Sequence, residues 1–142
     1  LYRSADAEPE VFLVHPGGPF WKNKDEGAWT IPKGEFEESE DPLAAVIREF
    51  KEETGFCIKG AFKSLGPIQQ KAGKVVHAWA VEGNIDEKKI KSNFFELEWP
   101  PRSGKKQFFP EVDKASWFSL SAAREKINLS QAQFLDQLLT MI

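Results

Sequence analysis

The chain has 142 residues, of which 41% are hydrophobic and 29% charged, and its formal net charge is −3. This length suits one domain with a buried core. The acidic balance disfavours a nucleic-acid partner, because such proteins need surplus Lys and Arg to displace counterions from phosphates. The single cysteine, Cys57, excludes an internal disulfide, and no apolar run approaches the roughly 18 residues of a membrane span. We therefore expect one cytoplasmic domain over residues 1–142, with no membrane partner.

The N-terminal part is predicted to form short strands separated by a polar loop. Residues 11–14 are an apolar run that ends in the turn formers of 15–19, as in a strand that enters a turn. Residues 20–27 are polar and charged, which predicts a loop. Residues 28–31 form a second short apolar run, and Pro32 stops it.

A central helix is predicted over residues 42–54. Asp41 is a favoured N-cap residue, and Pro42 suits the first helical position. Gly55 suits the left-handed conformation in which many helices end. Four apolar side chains recur at helical spacing on one side: Leu43, Val46, Ile47 and Phe50. That side is predicted to pack on a sheet.

The second half is predicted to contain more strands and two terminal helices. Strands are expected near 57–65, 73–82, 93–98 and 115–118, and helices near 119–126 and 130–140. Segment 100–110 is rich in Pro, Arg, Gly and Lys, which predicts a loop. The last helix has a stripe predicted to face the core, formed by Phe134, Leu135, Leu138 and Leu139. This order of elements favours a mixed α/β sandwich over a doubly wound parallel sheet.

Three carboxylates share another face of the central helix. Glu49, Glu52 and Glu53 fall within an arc of roughly 100°. Glu49 and Glu53 form a like-charge pair at i,i+4, which costs roughly 0.2–0.5 kcal/mol in an isolated helix. Carboxylates placed in this way can coordinate Mg²⁺ or Mn²⁺, hard cations that prefer oxygen ligands. The alternative is a solvated acidic face that Arg48 and Lys51 partly offset.

The spacing around these carboxylates favours a functional site. From Gly34 the chain reads Gly, five residues, Glu40, seven residues, Arg48-Glu49, then Phe-Lys-Glu-Glu-Thr-Gly-Phe. Residues 34–56 therefore resemble the Nudix box at every position. Seven matching residue types and two apolar positions would coincide by chance with a probability on the order of 10⁻⁷. Residues 110–113, an acidic segment before the last strand, are also similar to the family.

The resemblance implies a single Nudix domain with an α/β/α sandwich, in which the box helix packs on a mixed central sheet. It also implies a hydrolase of phosphoric anhydrides that depends on Mg²⁺ or Mn²⁺. The implied metal ligands are Glu49, Glu52, Glu53 and the backbone carbonyl of Gly34. By the same resemblance, Arg48 holds one ligand glutamate through a bidentate bond.

The resemblance leaves two roles open. Glu40 either binds the metal through water or stabilises the loop. The general base varies between members of the family, and Glu52, Glu53 and Glu111 are the candidates here.

Substrate contacts are predicted beside the box. Lys33, between Pro32 and Gly34, resembles members that act on dinucleoside polyphosphates or diphosphoinositol phosphates, and it could touch an extra phosphate. Arg102, Lys105 and Lys106 form a basic loop that could close over a polyphosphate chain. Trp99 is the candidate for stacking on a base, with Phe94 and Phe95 as alternatives in the same stretch.

Other reactive residue types are predicted to be structural. His15 and His77 lie beside apolar strand residues, and Cys57 is expected to be inert and at least half-buried at the start of a strand.

The favoured function is therefore pyrophosphohydrolysis of nucleoside triphosphates or dinucleoside polyphosphates such as diadenosine tetraphosphate. Alternatives with the same metal site are a diphosphoinositol phosphate, an ADP-sugar or a capped RNA end as the substrate, RNA being disfavoured by the net charge. A different class is an inactive Nudix module that binds a nucleotide. The sequence leaves open whether the protein is a monomer or a homodimer.

Overall fold

The computed structural model describes residues 1–33, 39–69, 73 and 75–142. Gly34, one of the predicted metal ligands, lies outside the described residues. The strands are β1 (Tyr2–Arg3), β2 (Glu10–Pro16), β3 (Lys63–Gln69), β4 (Val75–Ala80), β5 (Phe94–Glu98), β6 (Lys106–Pro110) and β7 (Val112–Ser119). The helices are α1 (Pro42–Thr54), α2 (Leu120–Lys126) and α3 (Ala132–Met141), with 3₁₀ turns at Glu87–Lys89 and Leu129–Gln131.

Strand β2 is the centre of the fold. It pairs antiparallel with β1 and β7, and Leu13 lies opposite Ser116. Its five residues from Val11 to His15 are all buried. Successive side chains of a strand point to opposite faces, so Val11 and Leu13 pack in the cluster that contains residues of α2 and α3. Phe12 and Val14 pack in a second cluster, with Phe50 of α1. Helices therefore cover both faces of β2, which is the predicted α/β/α sandwich.

Helix α1 has the predicted bounds. The Asp41 carboxylate accepts the Ala44 backbone N–H at 3.0 Å, and Gly55 ends the helix with φ at 81°. Phe50 is buried against Phe12, with ring centroids 5.9 Å apart. The other apolar residues of the predicted face are only half-buried: Leu43, Val46 and Ile47. Phe50 is therefore the main anchor of the helix on the sheet.

The remaining strands form two hairpins, β3–β4 and β5–β6, each antiparallel. Strand β6 lies inside segment 100–110, so the prediction of a loop throughout that segment is wrong. Its first three residues are exposed and begin with Lys106, which hides the alternation of a half-buried strand. The segment is a strand because it pairs with β5, in a register that places Glu98 opposite Lys106.

Two other predicted strands are shorter or shifted. Residues 28–31 form only isolated β-bridges: Thr30 makes an antiparallel bridge with Val14, and Trp29 makes a parallel bridge with Ile127. Strand β3 begins at Lys63, whereas a strand was expected from about residue 57. Backbone pairing with a neighbouring strand, rather than local apolar content, sets where these segments are extended.

Helix α3 contributes Phe134, Leu135 and Leu138 to the core, as predicted. Leu139, predicted to share that stripe, is 49% exposed. A stripe at i, i+1, i+4 and i+5 is wider than the surface that the sheet covers, so its last member faces solvent. Within the described ranges, no helix is long and apolar enough to cross a membrane.

Candidate active site

Glu53 is a buried carboxylate in the last turn of α1. The residue is only 8% exposed, and its Oε2 accepts the backbone N–H of Lys33 at 3.1 Å. Burial raises the pKa of Glu53 to about 8, and the negative charges of Glu111 and Glu49 act in the same direction. The Lys33 N–H opposes this shift only in part. A charged Glu53 therefore needs a positive partner at this position.

Glu49 lies one turn earlier on the same side of α1. Its side chain is 14% exposed, and burial raises its pKa, followed by repulsion from Glu52. The charge of Glu111 adds to this effect. The helix thus places Glu49 and Glu53, whose charges repel each other, in partly desolvated positions. The sequence predicts that they share a face, and the structure adds the burial.

Arg48 organises the exposed side of this group. Its Nε and Nη2 donate to the two carboxylate oxygens of Glu40 at 2.9 and 3.0 Å, while Nη1 donates to Glu49 at 3.0 Å and to Glu52 at 3.1 Å. These bonds raise the pKa of the guanidinium, and those to Glu40 have the largest effect. The bidentate pair is therefore with Glu40, and the predicted ligand glutamates receive single bonds. Of the two roles considered for Glu40, this pairing supports stabilisation of the loop.

Glu111 lies between β6 and β7 and is tied to α1 through the backbone. Its N–H donates to the carbonyl of Asn93 at 2.9 Å, and the Asn93 N–H donates to the carbonyl of Glu52 at 2.8 Å. The carbonyl of Glu111 accepts the Gly17 N–H at 2.9 Å. This chain of bonds fixes the Glu111 segment between the box helix and the turn that follows β2.

A cleft of about 490 Å³ opens beside these carboxylates. Glu53, Glu111 and Lys33 line it, together with the aromatic rings of Trp21 and Phe95. Sequence reasoning missed Trp21, because the charge of segment 20–27 marked it only as a loop. A large aromatic residue three positions after Gly18 was the available signal.

Most of the predicted substrate contacts lie elsewhere. Lys33 is exposed at the cleft, as predicted. Arg102 and Lys105 are exposed on the turn between β5 and β6, where the Trp99 N–H donates to the carbonyl of Lys105 at 2.9 Å. Trp99 packs edge-on against Phe20, with ring centroids 5.3 Å apart. Among the residues placed in the structure, those lining the cleft do not include Arg102, Lys105 or Trp99.

The remaining reactive side chains are outside the cleft lining. His15 is buried, with Nδ1 at 2.8 Å from an Asp113 oxygen and Nε2 at 2.6 Å from the carbonyl of Lys24. His77 is exposed on β4. Cys57 is exposed and lies before β3, so the prediction of a buried residue at a strand start is wrong. The chain between α1 and β3 runs over the surface at this point.

The carboxylates have the chemistry of a site for a hard divalent cation. Their oxygens are the donors that Mg²⁺ prefers. Burial first, and repulsion between the carboxylates second, raises the pKa of Glu49 and Glu53, and a bound cation would offset both effects. In the part of the chain that the structure describes, no three His, Cys, Asp or Glu side chains converge closely enough to form a complete ligand set. The predicted set also includes the Gly34 carbonyl, which lies outside that part.

The α/β/α sandwich thus places one carboxylate of its central helix, Glu53, in the wall of a cleft with Glu111, and this arrangement suits a phosphate-bearing substrate that carries a cation. The NUDIX domain model matches residues 2–138. The chain belongs to the Nudix family, and it is a hydrolase of phosphoric anhydrides. Nudix enzymes generally use a divalent metal.

Solved structures with the same fold cover 99% of this chain. The C. elegans Ap4A hydrolase binary complex is 21% identical with a TM-score of 0.66, over 92% of that chain. The NUDIX domain of Shewanella oneidensis NrtR, complexed with ADP ribose, is 15% identical with a TM-score of 0.65, over 82%. The E. coli ORF135 protein is 19% identical with a TM-score of 0.56, over 85%. A search of the curated proteins found no match. At these identities the likeness shows the fold alone.

Proposed function

We propose that this protein is a Mg²⁺-dependent pyrophosphohydrolase that cleaves nucleoside triphosphates or dinucleoside polyphosphates such as diadenosine tetraphosphate. The observation that carries the proposal is the buried Glu53, which lines the cleft with Glu111 and also feels the negative charge of Glu49. Desolvated like charges are costly unless a cation binds among them. A diphosphate brings such a cation and needs its charge neutralised before water can attack.

By the resemblance, Glu49, Glu52 and Glu53 would hold Mg²⁺ together with the Gly34 carbonyl, although the three side chains do not converge on one point in the described part of the chain. A bound Mg²⁺ supplies positive charge opposite the phosphates and makes water more acidic. The single bonds from Arg48 to Glu49 and Glu52 are compatible with this role, because each carboxylate has about four lone-pair sites. Arg48 is thus a positioning residue that restricts both side chains.

Glu111 fits the role of general base best among the three candidates. Glu53 is committed to the Lys33 N–H and, in this proposal, to the cation. Glu52 is bound by Arg48 on the exposed side of the helix. Glu111 lines the cleft and is held there by its backbone bonds to Gly17 and Asn93. A base must lie within hydrogen-bond reach of the water it deprotonates, and the cleft wall offers that position.

The choice of a polyphosphate substrate rests on Lys33. Lys33 lines the cleft next to Glu53, so its ammonium group can meet a phosphate beyond the one attacked. Arg102 and Lys105 lie on the exposed turn between β5 and β6 and, with Trp99, outside the lining of the cleft that the structure describes. The likeness to the C. elegans Ap4A hydrolase supports this substrate class.

A second candidate function is binding or hydrolysis of an ADP-ribose-like diphosphate. The observation that favours it is the likeness to a NUDIX domain complexed with ADP ribose. The complete box, with its arginine and all its glutamates, favours catalysis over binding alone.

A panel of diphosphates assayed with Mg²⁺ and with EDTA tests the proposed function. We expect turnover of nucleoside triphosphates or diadenosine tetraphosphate with Mg²⁺, and loss of at least about 100-fold with EDTA. The readout is released nucleotide and phosphate. Binding of a nucleotide without hydrolysis of any compound would contradict the hydrolase and favour a binding module.

Replacing Lys33 by Met is expected to impair hydrolysis of substrates with long phosphate chains most. The change removes one positive charge but keeps the apolar stem, so kcat/KM for diadenosine tetraphosphate should fall about 10-fold, and that for ADP-ribose by less. Lys22→Met, a change at an exposed lysine of the loop after β2, is the matched control. An equal loss of kcat/KM on both substrates would show that Lys33 does not determine substrate specificity.

A further inference from the structure

One wall of the cleft is aromatic, and the metal-binding and catalytic roles proposed for the carboxylates give that wall no function. Trp21 and Phe95 line the same cleft as Glu53 and Glu111. The Phe95 ring contacts Phe109, with centroids 6.0 Å apart, and the Lys24 ammonium lies 4.9 Å from the centroid of the Trp21 ring. Lys24 therefore lies over the electron-rich face of the indole. The rings of Trp21 and Phe95 thus give the cleft a flat apolar surface beside its charged end.

The loop that carries Trp21 is fixed at several points. Its start is tied to the catalytic side, because the Gly17 N–H donates to the carbonyl of Glu111 at 2.9 Å. Its far side is tied to the core, because Nε2 of the buried His15 lies 2.6 Å from the carbonyl of Lys24. The backbone N–H of Trp21 donates to the carbonyl of Gly18 at 3.3 Å. A loop whose backbone is held in place before a ligand arrives loses little entropy on binding.

The two glycines before Trp21 let this loop approach the β5–β6 hairpin. A Cβ on Gly17 would lie 2.0 Å from the Pro110 carbonyl oxygen, and a Cβ on Gly18 would lie 3.0 Å from the Phe95 ring. Gly18 also has φ at 97°, which side chains rarely adopt. Glycine at both positions therefore brings the Trp21 loop and Phe95 together as walls of one cleft.

We propose that Trp21 and Phe95 form the binding site for the base of a nucleotide substrate, with the diphosphate at Glu53 and Glu111. This inference rests on the proposed function and identifies its substrate as one with a planar heteroaromatic group. Aromatic side chains bind bases by stacking, whatever the identity of the base. Trp99, whose ring packs on Phe20 outside the cleft lining, does not take this role.

The test is equilibrium binding of ADP, by calorimetry, to the wild type and to Trp21→Ala, with Mg²⁺ and with EDTA. We expect Trp21→Ala to weaken ADP binding roughly 5- to 100-fold, the range for loss of one stacked base. Binding of inorganic tripolyphosphate, which has no base, should stay within about twofold. Phe95→Ala should behave like Trp21→Ala.

Three controls keep the result interpretable. Trp21→Phe retains an aromatic face and should restore most of the ADP affinity, which excludes a general folding defect. Phe108→Ala removes an exposed ring from the same hairpin as Phe95 and should change nothing. Trp99→Ala tests the rival aromatic residue and should also leave ADP affinity unchanged.

Either of two results with Trp21→Ala would overturn this inference: unchanged ADP affinity, or equal weakening of ADP and tripolyphosphate. The absence of measurable ADP binding by the wild type would have the same meaning. Failure of the proposed function is a separate result, because it would appear as no Mg²⁺-dependent hydrolysis of any diphosphate. ADP binding that depends on Trp21 would still uphold the base site in that case.

Discussion

Glu53→Gln is expected to lower kcat by roughly 10³-fold or more while the protein stays folded. Glutamine has nearly the same shape, and its carbonyl oxygen can still accept the Lys33 N–H that bonds to Glu53. The substitution removes the negative charge that a divalent cation would need. Steady-state hydrolysis with Mg²⁺ measures the loss, and calorimetric titration with Mg²⁺ should show weakened cation binding.

Glu125→Gln is the matched control for this substitution, because Glu125 is an exposed carboxylate on α2 with no place in the cleft lining. It changes net charge by the same amount and should leave kcat within about twofold. Activity of Glu53→Gln within about tenfold of the wild type would show that the cation is not held at Glu53.

The elements determined by nearby residues could be predicted from the sequence. Helix α1 begins and ends as expected, since its Asp41 cap, Pro42 and Gly55 all act within one turn of the chain. The shared face of Glu49, Glu52 and Glu53 follows from the helical period alone. The order of elements favoured a mixed α/β sandwich, and the resemblance to the Nudix family implied its three layers; the structure covers both faces of β2 accordingly.

Features that depend on tertiary pairing could not be predicted. Strand β6 is extended because it pairs with β5, and the Pro, Gly and Lys residues in and before it gave no sign of that partner. Leu139 has the spacing of a core residue, but helix α3 turns it away from the layer that covers Leu135 and Leu138. Composition identifies which side chains can be buried, and only the packed neighbours decide which ones are.

The candidate site shows the same division. The helix places its own carboxylates, but the position of Glu111 depends on backbone bonds to Asn93 and Gly17, which lie far away in sequence. Trp21 enters the cleft through a loop whose shape depends on contacts with the hairpin and with His15. The preference of Arg48 for Glu40 also required the structure, because helical spacing offered Glu49 and Glu52 as nearer partners.

The stability of the metal-free protein is expected to fall as pH rises from 5 to 9, because of Glu53. Burial raises the pKa of Glu53 from 4.5 to about 8, so the folded state holds this proton more tightly than the unfolded chain does. Its contribution is therefore fully present below pH 4.5 and is lost as pH rises through about 8. The cost between pH 5 and pH 9 is about 4 kcal/mol.

Urea unfolding in EDTA of the wild type and of Glu53→Gln measures this contribution. The variant has no titrating group at this position, so the difference between the two pH profiles isolates Glu53 from all other carboxylates. Parallel profiles would contradict a buried carboxylate with a raised pKa. Mg²⁺ at pH 9 should then stabilise the wild type more than Glu53→Gln, because a ligand that binds only the folded state adds its binding free energy to stability. The carboxylate that destabilises the metal-free fold would thus be the one that makes it bind the cation.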